Sequence, residues 1–263
     1  MTIITLTTDF GLKDGNVGVM KGVIANIAPH AHLIDISHFI PPQDVFTGAL
    51  ILGRSTPYFP ENTIHVGVID PGVGTQRRPI AARLGKHYFI GPDNGLCTLL
   101  WYAAQKQGLS SVFYHLDKPD YWLPEISHVF HGRDIFSPAA AHLANGIPLE
   151  KLGTHITDPI QLELKGPERT NNGWSGEVIH IDHFGNIATN ITQEHLDRDA
   201  VATVSLCGHT ISGLVHTFGE RPPGELIALF GSTGNLIISI VNGNAAQALN
   251  AQRGDLVEVI LHT

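Results

Sequence analysis

Two short segments about sixty residues apart hold the side chains best suited to chemistry: Asp70-Pro71-Gly72-Val73-Gly74-Thr75-Gln76-Arg77 and Phe130-His131-Gly132-Arg133-Asp134. Together they supply a carboxylate, guanidiniums and an imidazole on turn-rich loops. A rigid scaffold can hold such groups while leaving them open to a substrate. Pro71, Gly72 and Gly74 impose a tight, irregular turn, because proline fixes its own φ and glycine accepts positive φ cheaply. On these residues alone, a structural turn in which Asp70 caps backbone amides stays open. The spacing is not GxxxxGK[ST], so a P-loop is not expected. Sixteen histidines dilute the signal of His131, and Asp134 is placed to cap the helix that follows.

Two further segments carry usable groups. Asp182-His183-Phe184-Gly185-Asn186 offers an aromatic face and an amide edge, which suit a planar heterocycle, although an Asx turn ending a strand has the same composition. Phe230-Gly231-Ser232-Thr233-Gly234-Asn235 reads as a hairpin turn with hydroxyls able to hold a carboxylate. His128, His131 and Asp134 are loosely metal-like in spacing, but there is no HExxH and no paired Cys/His motif, so no metal is expected. Asp9-Phe10-Gly11 and His131-Gly132-Arg133-Asp134 echo two kinase elements. Their order is reversed, a glycine interrupts the second, and the strand lysine of a kinase is missing.

The elements that must position these groups follow a βαβ rhythm. Residues 2–8 predict a strand ending at Thr8-Asp9, and Val17, Met20, Ile24 and Ile27 recur at helical spacing up to Pro29. Strands are expected at His32–Ser37 and Thr63–Ile69, with a helix from Asp44 to Leu52 between them. A hairpin is expected around Gly85-Lys86, helices at Gly95–Ala104 and Asp134–Ala144, and a strand at Val112–Leu116. Such a rhythm predicts an α/β domain with a largely parallel central sheet and ligands beyond the carboxyl ends of its strands. Asp9, Asp70 and His131 fall at positions consistent with that rule. After residue 165 the pattern changes to short strand-like runs: Gly176–Ile181, Val201–Leu206, Leu226–Phe230, Leu236–Ile240 and Leu256–Leu261. One helix, Ala245–Ala251, accompanies them. The expected organisation is an N-terminal α/β domain over 1–165, a linker at 166–173 and a β-barrel-like domain over 174–263.

Bulk properties bound the function classes. With 43% apolar and 15% charged residues in 263, the chain has the composition of a packed globule. A net charge of −8 argues against nucleic acid as a partner. No apolar run approaches the roughly 20 residues of a membrane helix, and no secretory leader is evident. Cys97 and Cys207 are isolated, as expected in a reducing cytoplasm.

Taken in order, Thr8-Asp9-Phe10-Gly11, Asp70 to Gly74 with Arg77, Phe130 to Asp134 and Asp182 to Asn190 give the chain a resemblance to a known family. It resembles the S-adenosylmethionine hydrolases (adenosine-forming), also called S-adenosylmethionine hydroxide adenosyltransferases, which are relatives of fluorinase and chlorinase. The resemblance runs through nearly the whole chain. It implies an N-terminal α/β domain, a smaller C-terminal β domain, and a homotrimer whose active sites lie between the N-terminal domain of one subunit and the C-terminal domain of the next. It implies a triad of Asp70, Arg77 and His131, with the family spacing favouring Arg77 over its neighbour Arg78. It also implies that Asp9 holds the ribose hydroxyls, that Phe184 and Asn186 contact adenine, and that Asp182 with Ser232 holds the methionine moiety. No cofactor is implied, since S-adenosylmethionine is the substrate and adenosine and L-methionine the products. Where the fluorinase type has a tyrosine this chain has Asp70, and at the halide-binding serine it has Gly132. A carboxylate near the nucleophile repels halide, so water is the expected nucleophile. A binding protein without turnover, a halide-using adenosyltransferase and a metal-dependent hydrolase are the alternatives.

Overall fold

The computed structural model describes residues 2–262, which fall into two compact units divided between Leu162 and Glu163. The first contains β1 (Ile3–Thr8), α1 (Asn16–Ile27), β2 (His32–Ser37), α2 (Val45–Ser55), β3 (Ile64–Val68), β4 (Pro79–Leu84), β5 (His87–Pro92), α3 (Thr98–Lys106), β6 (Ser111–His115), α4 (Ser137–Ala144) and β7 (Thr154–Ile156). These strands form one seven-stranded sheet in the order β2-β1-β3-β5-β4-β6-β7. The β2-β1-β3-β5 half is parallel, while β4, β6 and β7 pair antiparallel.

Helices cover both faces of this sheet, so its central strands are buried on both sides. Val17, Met20 and Ile24 of α1 recur at helical spacing and pack with α4 onto Ile4, Leu6, Val66 and Val68. α2 and α3 bury Leu52 and Leu100 against Ile69, Ile80 and Phe89 on the other face. Removing a side chain such as Met20 or Ile24 from water contributes about 1.5–3 kcal/mol. Asp44 starts α2 by accepting the Thr47 amide at 3.0 Å.

The second unit contains β8 (Glu168–Thr170), β9 (Gly173–Ile181), β10 (Ile187–Thr192), β11 (Ala202–Leu206), β12 (His209–Ser212), β13 (Leu226–Phe230), β14 (Asn235–Ile240), α5 (Ala245–Leu249) and β15 (Leu256–Leu261). The stretch expected as a linker thus carries β8, paired to β9. The order β12-β11-β15-β9-β10-β14-β13 is antiparallel throughout. It nearly closes on itself: just after β12, the Val215 amide donates to the Ala228 carbonyl of β13 at 3.0 Å. Val178, Ile187, Val204, Ile238 and Val257 fill its interior. This is the barrel-like β unit that the strand pattern predicts. No helix among the described residues is long and apolar enough to cross a membrane.

Candidate functional site

Asp9 follows β1, Asp70 follows β3, and His131 opens the turn that leads into α4. All three line one cleft of about 340 Å³ at the carboxyl ends of the parallel strands. That is where ligands gather in open α/β sheets.

Arg77 joins the acid to the imidazole. Its Nε donates to Asp70 Oδ1 at 3.0 Å and its Nη2 to Asp70 Oδ2 at 2.5 Å, a two-pronged clamp on the carboxylate. Nη2 also lies 3.1 Å from His131 Nδ1. Both members of the ion pair are buried, with side chains 7% and 5% exposed. Burial pushes the Asp70 carboxyl above its ordinary range, and the Arg77 charge and hydrogen bonds hold back part of that rise. Burial and the neighbouring guanidinium pull the His131 imidazole below its usual value, so it favours the neutral form. Arg77 Nη1 is buried without a hydrogen-bond partner among the described residues. A charged donor left so is costly.

Local sequence explains the clamp. Thr75 Oγ1 donates to the Gly72 carbonyl at 2.7 Å and accepts the Arg77 amide at 3.3 Å, curling the loop so that Arg77 returns to Asp70. Gly74 has φ +77°, and a β-carbon there would run into the His128 carbonyl. The two loops are therefore in backbone contact. Arg78, the alternative by sequence, turns away to bind Asp93 and Asp158.

After His131 the chain makes one π-helical turn, Gly132–Phe136, before α4. Such turns recur at functional sites because the extra residue re-aims a side chain. Asp134, expected as a helix cap, is instead fully buried inside this turn, where it accepts the Ser127 amide at 2.8 Å and pairs with Arg133. Among the described residues no group of three His, Cys, Asp or Glu side chains could hold a metal ion.

On the cleft's other side, Asp9 Oδ2 accepts the Gln43 amide at 2.8 Å. Gln43 sits at φ +65°, an unfavourable conformation for a non-glycine residue and of a kind that collects at functional sites. Phe10 and Phe130 meet edge to face at 5.7 Å in the same wall. No sequence motif assigns a role to Gln43 or to the two rings; the rings' only signal is their place beside Asp9 and His131.

In the C-terminal unit, Asp182 Oδ1 accepts the Phe184 and Asn186 amides, both at 2.9 Å, and Oδ2 accepts Asn186 Nδ2 at 2.8 Å. Asp182 and Asn186 thus build an Asx turn that holds Phe184 outward, 72% exposed. Gly185, at φ +82°, lies against Asn244, which caps α5. Ser232 is exposed in the turn between β13 and β14. That turn lies beside Thr192, where β10 ends, whereas the Asp182–Asn186 turn lies where β10 begins. The two turns are thus separated by the length of β10, about 16 Å of strand. The structure gathers Asp9, Asp70, Arg77 and His131 in one place and Asp182, Phe184 and Asn186 in another, and it sets Ser232 apart.

The family model described as the SAM hydroxide adenosyltransferase N-terminal domain matches residues 4–153, and that of the C-terminal domain matches 176–258. An (R)-S-adenosyl-L-methionine hydrolase of Salinispora arenicola is 39% identical over 97% of this chain and 97% of its own. A fluorinase of Nocardia brasiliensis is 28% identical, covering 98% of this chain and 96% of its own. A crystal structure of an uncharacterized conserved protein from Thermotoga maritima superposes with a TM-score of 0.89 at 35% identity, over 99% of this chain and 100% of that one.

Proposed function

The chain belongs to the SAM hydroxide adenosyltransferase family, and from that premise we propose that it is the hydrolase that splits S-adenosylmethionine into adenosine and L-methionine. Water attacks C5′ of the ribose. A C5′–O bond forms, the C5′–S bond breaks, and its electron pair neutralises the sulfonium. The attacking water gives up one proton to solvent. The departing thioether needs no acid, so no metal or other cofactor has to activate the leaving group.

The observation that carries this reading is the Arg77 clamp. It binds Asp70, contacts His131 and retains a buried donor, Nη1, without a hydrogen-bond partner among the described residues. Donors fixed in a site of low polarity favour the anionic form of a water and align it. In this reading Arg77 and His131 hold the water, and Asp70 holds Arg77. Asp9 takes the ribose hydroxyls, and a cationic substrate is drawn to a carboxylate-lined cleft.

Water is favoured over halide by two features. The Asp70 carboxylate takes up two of the Arg77 donors that a halide would otherwise find. A β-carbon at Gly132 would face Met20 Sδ, Phe130 and Val68 at 3.3–3.4 Å, an apolar setting with little to replace a halide's hydration. The relatives' name specifies the (R) sulfonium epimer, and the same epimer is the substrate proposed for this chain.

A cytoplasmic homotrimer completes the proposal. Phe184 and Asn186 of one copy would contact the adenine, and Asp182 the methionine, of a substrate held by the next copy's Asp9. Exposed Phe184 supports that reading. Incubation with S-adenosylmethionine, with and without chloride or fluoride, tests the activity by chromatography. Adenosine and methionine in equal amounts are expected under both conditions. Binding without product would leave a binding protein, and 5′-halo-adenosine would make the enzyme a halide transferase. Mixing Asp70→Ala and Phe184→Ala chains tests the shared site, since each hybrid trimer would contain some intact sites and regain turnover.

A further inference from the structure

His38 lies just behind the Asp9 turn and is only 3% exposed. The parallel ladder between β1 and β2 slips register after Leu6–Asp35 and ends at Thr7–Ser37. Past that point the regular ladder ends and a single backbone bond, from the Gly11 amide to the His38 carbonyl, joins the two strand ends. His38 bridges the gap. Its Nδ1 is 2.9 Å from Thr8 Oγ1. Its Nε2 is 3.0 Å from Asp35 Oδ1, within ion-pair range though off the hydrogen-bond axis. Its carbonyl accepts the Gly11 amide at 2.7 Å. Thr8 Oγ1 also accepts the Phe10 amide, at 3.3 Å. Lys21 donates to the other Asp35 oxygen at 2.6 Å and anchors the far end.

For the neutral ring, one arrangement of hydrogens suits this chain of contacts. A carboxylate only accepts, so the imidazole hydrogen sits on Nε2 toward Asp35. Nδ1 then accepts the Thr8 hydroxyl, whose lone pair receives the Phe10 amide. The amides on both sides of the turn, Phe10 and Gly11, are thus tied to one buried residue.

We infer that His38 is a positioning residue, which fixes the Asp9-Phe10-Gly11 turn through Thr8 and its own carbonyl and so sets the pose of the Asp9 carboxylate in the cleft. This rests on the proposed role of Asp9 in holding the ribose. His38 touches no substrate itself, and its influence falls on substrate binding, with the Asp70–Arg77–His131 group left in place.

Three substitutions separate the contacts. His38→Asn places an amide oxygen near the site of Nδ1 and keeps the Thr8 contact. Gln places its amide near Nε2 and keeps only the Asp35 contact. Thr8→Val removes the hydroxyl at nearly constant shape. Loss of one buried hydrogen bond is expected to raise KM for S-adenosylmethionine about tenfold in Thr8→Val and His38→Gln, with a smaller change in kcat. His38→Asn should return KM toward the wild-type value. Amide hydrogen exchange at Phe10 and Gly11 reads the positioning directly, whatever the turnover. It should accelerate in Thr8→Val and His38→Gln and be restored in His38→Asn. Unchanged exchange in Thr8→Val would overturn the inference even if the enzyme is active. Accelerated exchange in a wild-type background that does not cleave S-adenosylmethionine would uphold the positioning and count against the proposed function instead.

Discussion

Arg77 Nη2 lies 3.1 Å from His131 Nδ1, and a guanidinium has only hydrogens to give. His131 therefore meets it with the Nδ1 lone pair and carries its proton on Nε2. The imidazole is a donor toward the cleft, and its burial beside a cation favours this neutral state.

This fixes the pH dependence. The folded-state pKa of His131 lies below its ordinary 6.5, so the neutral ring, whose Nδ1 accepts from Arg77, persists at pH 6.5 and is lost as pH falls through the lowered value. The acid limb of kcat/KM should therefore fall below pH 6.5, with an apparent value shared by His131 and Asp70. Nitrogen-15 shifts of His131 should show a protonated Nε2 at neutral pH. A protonated Nδ1 would contradict the contact.

Adjacent arginines should fail in different ways. Arg77→Ala removes the donors proposed to hold the water and is expected to lower kcat by about 10²–10³. Arg78→Ala leaves Asp93, which is 1% exposed, without its charge partner. That loss should cost about 3–5 kcal/mol of stability, with turnover per folded molecule little changed. Melting temperature and kcat, measured on both variants, separate the two roles.

Gly74→Ala should damage turnover more than its size implies. It forces a side chain into positive φ and onto the His128 carbonyl, and strain of this kind costs on the order of 1–3 kcal/mol. The loops would part, and a displacement of about 1 Å at the clamp costs about 10² in rate. Steady-state kinetics beside a thermal melt check both effects.

Acid should unfold the protein in part through His65. This ring is fully buried against Thr5 and His87, and burial lowers its pKa to about 3. The unfolded chain binds the proton near pH 6.5 and the folded chain does not. Stability is thus present above that pH and drains away as pH falls toward 3, by up to about 5 kcal/mol. His65→Gln, which cannot take up a proton, should flatten the denaturant midpoint against pH over this window.

Much of the site was legible because turn chemistry is local. Pro71, Gly72 and Gly74 marked the loop that Arg77 closes, and the βαβ rhythm put Asp9 and Asp70 at strand ends. The choice between Arg77 and Arg78 was not legible from the residues themselves, since an irregular loop has no period to say which neighbour points inward. The π turn after His131 is likewise invisible, because Asp134 looks like an ordinary cap until its burial is known. β10 carries no strand pattern: Thr189, Asn190 and Thr192 are polar, and a register shift after Ala188 breaks its pairing with β9. The separation of Ser232 from Asp182 follows from that strand's pairing, which no local pattern encodes.

The central claim is that water attacks C5′, and oxygen-18 water tests it most directly. Turnover of S-adenosylmethionine in labelled water should yield adenosine carrying one heavy oxygen at the 5′-hydroxyl and unlabelled methionine. Unlabelled adenosine, or adenine as the product, would contradict the account.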